Sequence, residues 1–266
     1  MAMRRWILLG VLSLTLGGCA TLPNGRGWGE DATLVPGWSR VGHALQSAGR
    51  SPGTWAPLAG ALLVQIDHAD ERLSDWASEH TPVFGSQQTA DARSTDLANG
   101  CQNLYYLTAL TLPSGKQPAS WAGNKIKGLA VGYVASEAVS VATDWIKDET
   151  DRQRPDGRDR KSFPSGHTSR ATSFATLTAR NLDYLPLPSR TSIISKTGVY
   201  SLAAAAAWAR VEAKRHYPSD VLAGAALSHF LSLFIYDSFL GLDSAPLVPS
   251  VTVMRDEVHL GLTCSF

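Results

Sequence analysis

Apolar runs with helical spacing, separated by prolines, limit the fold of this chain more than any other feature. From Trp55 onward, Leu58, Leu62 and Ile66 recur at spacings of three and four, and Pro82 stops the run. Similar runs follow over residues 97–112, 120–154, 165–182, 192–214 and 218–240. The pattern predicts an all-α fold with six principal helices and short loops.

The C-terminal residues follow a different pattern. Residues 251–253 and 258–262 alternate between apolar and other side chains, as strands do. The sequence therefore predicts a six-helix bundle with a short C-terminal strand or β-hairpin packed on it. Residues 221–236 carry no Lys, Arg, Asp or Glu, but the run is shorter than the roughly 20 residues that a membrane span needs. A buried core helix is the favoured interpretation.

The first residues have the pattern of an export signal. Arg4 and Arg5 precede an apolar run over residues 6–16, which ends at Leu16-Gly17-Gly18-Cys19. This ending resembles a bacterial lipobox, in which the peptide is cut before the cysteine and the cysteine is lipidated. Ala20 then favours the outer membrane, facing the periplasm. The alternative is an ordinary signal peptide with an incidental cysteine.

Four segments follow from these patterns. We expect a lipoprotein signal peptide over residues 1–18 and a lipidated, irregular tether over 19–53. A helical domain should cover 54–242, and a C-terminal extension 243–266. Cys101 and Cys264 form either a disulfide or two separate buried thiols. The formal net charge of +1 gives no field to attract nucleic acid, so no such partner is expected.

The first candidate site segment runs from Lys147 to Pro155. Lys147 and Arg154 are seven residues apart, about two helical turns, so we expect them to share one helix face and grip one phosphoryl group. A plain solvated stretch is the competing interpretation for a segment so rich in charge. Arg152, Arg158 and Lys161, with Arg160, are assigned to that solvated face.

The second segment is Pro164-Ser165-Gly166-His167, at a predicted helix start. Free N–H groups and the helix dipole favour an anion there, and Gly166 allows close approach of the backbone. Ser165 offers a hydroxyl donor, and His167 is placed to protonate a leaving oxygen. Without the other segments, this pattern would fit a plain helix cap.

The third segment runs from Arg210 to Asp220. Arg210 ends one predicted helix, and Asp220 lies in the first turn of the next, four residues after His216. A carboxylate at that distance would accept from one imidazole nitrogen and leave the other free to attack phosphorus. Asp220 could also cap the helix. None of the remaining histidines has metal-ligand spacing, so no metal is expected.

The three segments together resemble the signature of the PAP2 phosphatase superfamily, which includes class A acid phosphatases and vanadium haloperoxidases. The resemblance rests on Lys-x6-Arg-Pro, Pro-Ser-Gly-His and Arg-x5-His-x3-Asp, in that order. It implies that His216 is the nucleophile, Asp220 its partner and His167 the general acid. The implied phosphate-binding set is Lys147, Arg154, Ser165, Gly166 and Arg210.

The resemblance also implies a function. We expect a metal-independent phosphatase without a cofactor, inhibited by vanadate, acting on phosphomonoesters or pyrophosphates. A phosphorylated lipid of the envelope is favoured over a small soluble phosphoester because the N-terminal lipid holds the protein at a membrane. Two alternatives stay open: a haloperoxidase with vanadate as cofactor, and a non-catalytic envelope lipoprotein that uses the bundle for binding.

Overall fold

The structure is a computed structural model that describes residues 20–241 and the backbone of two strands near the C-terminus. Eight α-helices lie in the described part of the chain, with a 3-10 turn at Ile66–His68 between the second and third. They are α1 (Trp38–Arg50), α2 (Pro52–Leu63), α3 (Ala69–His80), α4 (Gln87–Thr111), α5 (Pro118–Thr150), α6 (Gly166–Asp183), α7 (Ser189–Glu212) and α8 (Pro218–Leu240). The all-α class fits this architecture.

The predicted count of six helices is wrong. The expected helix from Trp55 is two helices, because Asp67 and His68 have positive φ values of 54° and 53° between α2 and α3. L-residues in this left-handed region do not continue a right-handed helix. The eighth helix, α1, lies where the sequence shows no clear apolar period.

Two C-terminal strands, β1 (Val248–Met254) and β2 (Glu257–Thr263), pair antiparallel with each other. Val251 lies opposite Leu260 in this register. Their side chains lie outside the described residues. The predicted six-helix bundle with a hairpin packed on it is therefore not the architecture of the described domain, which is formed by the eight helices.

Helix α6 is the central element of the bundle. Helices α4, α5, α7 and α8 all pack against it. Small buried side chains on α6, such as Ala171, Ala175 and Ser169, allow these neighbours to approach closely. The N-terminus of α6 therefore lies at the centre of one end of the bundle.

Helix α8 crosses the start of α6 at Gly224. A Cβ atom at Gly224 would lie 3.0 Å from the backbone oxygen of Ser165. Glycine at this position therefore allows the two helices to touch beside the second sequence segment. Among the described residues, α8 alone is long and apolar enough to cross a membrane, and 56% of its apolar window is buried in the bundle.

Helices α1 and α2 follow α8 in the opposite direction. The nitrogen of Thr33 donates to the oxygen of Phe239, Gly53 lies against the ring of His229, and Gly60 lies beside Leu222. The chain from Thr33 to the end of α2 therefore runs along α8 toward the end of the bundle where α6 begins.

Gly132 on α5 is expected to be essential for packing, because a Cβ there would lie 1.7 Å from the Oη atom of Tyr105. Tyr105 is buried and has little room to move, so Gly132→Ala should destabilise the fold by about 2 kcal/mol. Gly123→Ala on the same helix is the matched control, since its Cβ would meet nothing within 4 Å. It should be neutral or stabilise by up to about 1 kcal/mol. Thermal unfolding of both variants checks this, and equal Tm values would contradict it.

Candidate active site

A pocket opens at the end of the bundle where α6 begins. Three predicted site residues line it: Arg154, His167 and Arg210. The other lining residues come from α4, from the loop after α5 and from the turn after α7: Gln88, Asp91, Ala92, Thr95, Asp159 and Arg215. The structure therefore brings together residues from all three sequence segments, and it adds one face of α4.

His216 lies behind this pocket with only 2% of its surface exposed. Its Nδ1 atom is 2.7 Å from the backbone oxygen of Ser162, and its Nε2 atom is 3.1 Å from a guanidinium nitrogen of Arg154. A carbonyl oxygen only accepts and a guanidinium only donates. The proton therefore belongs on Nδ1, and Nε2 carries the lone pair.

His216 is neutral at pH 7. Burial lowers the pKa of His216 to about 4, with Arg210 and Arg154 acting in the same direction and Asp220 opposing them. A neutral imidazole with its lone pair on Nε2 is the form in which histidine acts as a nucleophile.

Asp220 lies beside His216 but does not accept from it directly, since Oδ2 is 3.8 Å from Nδ1. The carboxylate instead accepts from the Ser162 hydroxyl at 2.5 Å and from the Tyr217 backbone N–H at 2.8 Å. Burial would raise the pKa of Asp220, but His216, Arg152 and Ser162 together hold it below its usual value. The carboxylate therefore fixes the backbone on both sides of the imidazole.

Arg152 is a part of the site that sequence reasoning missed, because it was assigned to the solvated face. Its guanidinium donates to Asp220 at 2.7 Å and to Asp70 on α3 at 2.8 Å. Asp70 also accepts from the Ser219 backbone N–H at 2.8 Å. Asp70 is only 2% exposed and Asp220 is fully buried, so Arg152 compensates two buried negative charges behind His216.

Lys147 and Arg154 do not share a helix face, which corrects the sequence prediction. Helix α5 ends at Thr150, and Asp151 follows with a φ of 43°. Arg154 lies in the loop beyond, where its Nε atom donates to Asp159 at 2.7 Å. Pro155 predicts a helix end near this point, but the helix stops four residues earlier than expected.

Lys147 reaches the site from another direction. A Cβ on Gly166 would lie 2.9 Å from the Lys147 Nζ atom, so the ammonium lies against the start of α6. Lys147 also pairs with Asp144 at 3.2 Å. Glycine at position 166 therefore leaves the space in which this ammonium approaches the helix N-terminus.

Ser165 is fully buried at the N-cap of α6. Its backbone N–H donates to the Asp220 backbone oxygen at 3.0 Å, and its hydroxyl accepts from Thr168 at 3.1 Å. In this state the backbone of Ser165 joins the second segment to the third. Its role as a phosphate donor stays a prediction.

Arg210 is held by residues of α4. One guanidinium nitrogen donates to Asp91, and it also donates to the Ser94 hydroxyl at 3.1 Å. Arg215 donates to the other oxygen of Asp91 at 2.6 Å. Burial would raise the pKa of Asp91, but Arg215 and Arg210 hold it below its usual value. A single oxyanion therefore bridges two pocket arginines.

His167 projects into the pocket from the first turn of α6. Its Nε2 atom lies 3.2 Å from the Thr95 hydroxyl on α4. Burial lowers the pKa of His167 to about 4, with further lowering by Arg210 and His216 and an opposing effect of Asp91. The imidazole is therefore neutral at pH 7 in this environment.

Sequence reasoning missed Asp70, Asp91, Thr95 and Ser162. Asp91 and Thr95 lie on the first turns of α4, which begins at Gln87, ten residues before the apolar run that predicted this helix. The Ser86 hydroxyl, which accepts from the Thr89 N–H at 3.1 Å, is the capping signal that marks this start.

Two predicted features, the lipidation site and the disulfide, lie partly or wholly outside the described residues. Cys19, the predicted lipidation site, lies there, and so does Cys264. Cys101 is buried on α4, and burial raises the pKa of its thiol to about 11. Among the described residues, no group of three or more His, Cys, Asp or Glu side chains is arranged to hold a metal ion.

Comparison with known proteins gives matches to the part of the chain that holds these segments. The family model of the PAP2 superfamily matches residues 141–242. The Lipid A 1-phosphatase of Porphyromonas gingivalis is 45% identical over 76 residues, which are 29% of this chain and 16% of that protein's length.

A solved structure is also similar, that of a transmembrane PAP2 type phosphatidylglycerolphosphate phosphatase from Bacillus subtilis. The TM-score is 0.49 and the identity 19%, and the match covers 70% of this chain and 94% of the other. The match to the PAP2 family model, over residues 141–242, covers the part of the chain that holds all three site segments.

Proposed function

We propose that this protein is a metal-independent phosphatase that hydrolyses phosphomonoesters or pyrophosphates of envelope lipids through a phosphohistidine intermediate. The observation that carries the proposal is the state of His216. It is buried and neutral, with its proton on Nδ1 and its Nε2 lone pair 3.1 Å from Arg154 at the edge of a cationic pocket. The PAP2 match and the relative named as a Lipid A 1-phosphatase support a phosphatase acting on lipid phosphates.

The pocket arginines are already arranged for oxyanions. Arg154 binds the carboxylate of Asp159, and Arg210 and Arg215 share that of Asp91. Phosphate oxygens form the same charge-assisted hydrogen bonds with guanidinium groups. A phosphoryl group entering between Arg154 and Arg210 would exchange carboxylate partners for phosphate oxygens, and Lys147 and the first N–H groups of α6 would bind the remaining oxygens.

The chemistry follows from the two histidines. The Nε2 lone pair of His216 forms a bond to phosphorus while the ester P–O bond breaks, and the leaving oxygen takes the electron pair and a proton from His167. Water then attacks phosphorus and gives a proton to His167. The P–N bond breaks, its electron pair returns to Nε2, and phosphate leaves.

The low pKa of His167 is compatible with an acid role once substrate is bound. Burial and the charge of Arg210 keep this imidazole neutral. A bound phosphoryl dianion would offset the charge of Arg210 and raise the pKa of His167, which favours the protonated form. Before His167 is protonated, the hydroxyl of Thr95 would orient its imidazole ring.

Phosphate release from a panel of phosphorylated lipids and soluble phosphoesters, measured in EDTA, tests the function. We expect wild type to hydrolyse at least one lipid phosphate or pyrophosphate and His216→Ala to hydrolyse none, because every substrate needs the nucleophile. Wild type should also form a phosphoenzyme that is stable to alkali and labile to acid. Thermal unfolding of the variant shows whether it is folded. Activity that is lost on chelation and restored by zinc or magnesium would contradict the proposal.

His167→Ala should slow hydrolysis most for substrates with poor leaving groups. A general acid contributes about 10²- to 10⁴-fold when the leaving oxygen is a strong base, and less when it is a weak base. An alkyl phosphate and a nitrophenyl phosphate compared in the variant and wild type provide the measurement. Equal losses on both substrates would remove His167 from the acid role.

Vanadate should inhibit at low concentration, because its five-coordinate form resembles the transition state. Arg210→Ala should weaken inhibition by vanadate more than it raises KM, since the guanidinium contributes most as charge develops on the equatorial oxygens. Arg93→Ala is the matched control: Arg93 also lies on the bundle surface at a carboxylate, Asp96, but outside the pocket lining. Equal effects of the two substitutions on the vanadate inhibition constant would contradict the assignment of Arg210.

A further inference from the structure

Large apolar side chains are exposed on the outside of α1 and α2, in a part of the chain that contributes no residue to the lining of the pocket. On α2, Trp55, Leu58, Leu62 and Leu63 are between 48% and 67% exposed. Leu34, Val35, Trp38, Leu45 and Ile66, in the segments before and after, are 49–92% exposed. Many large apolar side chains exposed along one segment of a folded domain indicate a contact with a membrane or a partner. We call residues 34–66 the N-terminal arm.

The charge of the N-terminal arm indicates what kind of surface it contacts. From residue 32 to residue 66 the sequence contains no Asp and no Glu, and Arg50 provides exposed positive charge. Arg50 is exposed at the end of α1. Apolar side chains beside a cation, without acidic residues, fit the headgroup region of an anionic lipid bilayer, and tryptophan is enriched at that boundary.

The exposed apolar residues of α5 do not share this pattern. The outer face of α5 exposes Tyr133, Val134 and Val141, but it also exposes Glu137 and Asp144 between and beside them. Carboxylates would be repelled by anionic headgroups and are costly to bring into the acyl region. The arm is therefore favoured over α5 as the surface that meets lipid.

The arm is fixed to the bundle, so a membrane contact would set the orientation of the whole domain. Gly53 and Gly60 bring α2 against His229 and Leu222 on α8. Cys19, the predicted lipidation site, precedes Leu34 by 15 residues (34 − 19). A segment of that length spans at most about 50 Å when fully extended, which would keep the arm close to an anchored membrane.

We propose that the N-terminal arm lies along the surface of an anionic lipid bilayer, with its apolar side chains at the boundary of headgroups and acyl chains and Arg50 beside lipid phosphates. The arm then orients one side of the bundle toward the membrane independently of any lipid at Cys19. The proposal does not depend on the phosphatase activity.

Fluorescence quenching at single labelled positions tests whether the arm contacts lipid. The test also works if the N-terminal leader by itself binds the protein to vesicles. A polarity-sensitive fluorophore is attached to Leu62→Cys, and in a matched protein to Ile194→Cys on α7, in the full chain carrying Cys264→Ser. Leu62 is 67% exposed and Ile194 71%, so the two positions start equally accessible. The parent chain without the new cysteine supplies the background emission.

With vesicles of phosphatidylglycerol and phosphatidylcholine, the label at position 62 should shift to shorter wavelength and be quenched by bromolipids, while the label at 194 keeps its emission. The shift at 62 should weaken in pure phosphatidylcholine and with Arg50→Gln. No quenching at 62 on vesicle-bound protein would overturn the proposal. Equal quenching at both positions would overturn the proposal and indicate that the whole bundle is immersed in the bilayer. A wavelength shift at position 62 without vesicles, together with dimers in sedimentation, would overturn it and indicate that a second copy of the chain covers the arm. Hydrolysis of a soluble phosphoester reports the site separately.

Discussion

The carboxylate of Asp220 is the group on which the geometry of the site depends. It is fully buried and accepts from Arg152, Ser162 and Tyr217, three donors that come from the loop after α5 and from the start of α8. An unpaired carboxylate in this position would cost several kcal/mol, so the donors and the acceptor are needed together. Because Ser162 is fixed in this way, its carbonyl oxygen meets Nδ1 of His216. Asp220 therefore positions the imidazole through the backbone rather than by direct contact.

A second set of carboxylates acts on the open side of the pocket. Asp91 and Asp159 hold the guanidinium groups of Arg210 and Arg154 in place before any ligand enters. Cations that are already ordered lose little further side-chain entropy when they bind an anion, although the anion must compete with the carboxylates. The same carboxylates offset the repulsion between these two positive charges.

The sequence predicted that residues of the three segments lie close together, but not how the chain brings them together. The spacing of the three segments correctly placed Arg154, His167 and Arg210 around one pocket. The predicted end of the helix carrying Lys147 was wrong, since the helix ends at Thr150. The residues after Thr150 are mostly charged, and charged residues are as common in loops as on exposed helix faces. The spacing could not find Arg152 either, since the partners of its guanidinium lie 68 and 82 residues away in the chain. Pairs between distant charges leave no periodic signal.

Apolar periodicity also did not show which side of a helix faces the core. Leu58, Leu62 and Ile66 recur with the spacing that predicts a buried face, yet the structure leaves them 48%, 67% and 65% exposed. Helix α2 packs on α8 through its smallest residues instead, with Gly60 and Ala61 toward the bundle. A helix with small residues inside and large apolar residues outside has the reverse of the pattern for water-facing helices. The large apolar side chains on the outer face of α2 would be explained if that face also met an apolar environment. The surface of a bilayer provides such an environment without requiring α2 to span the membrane.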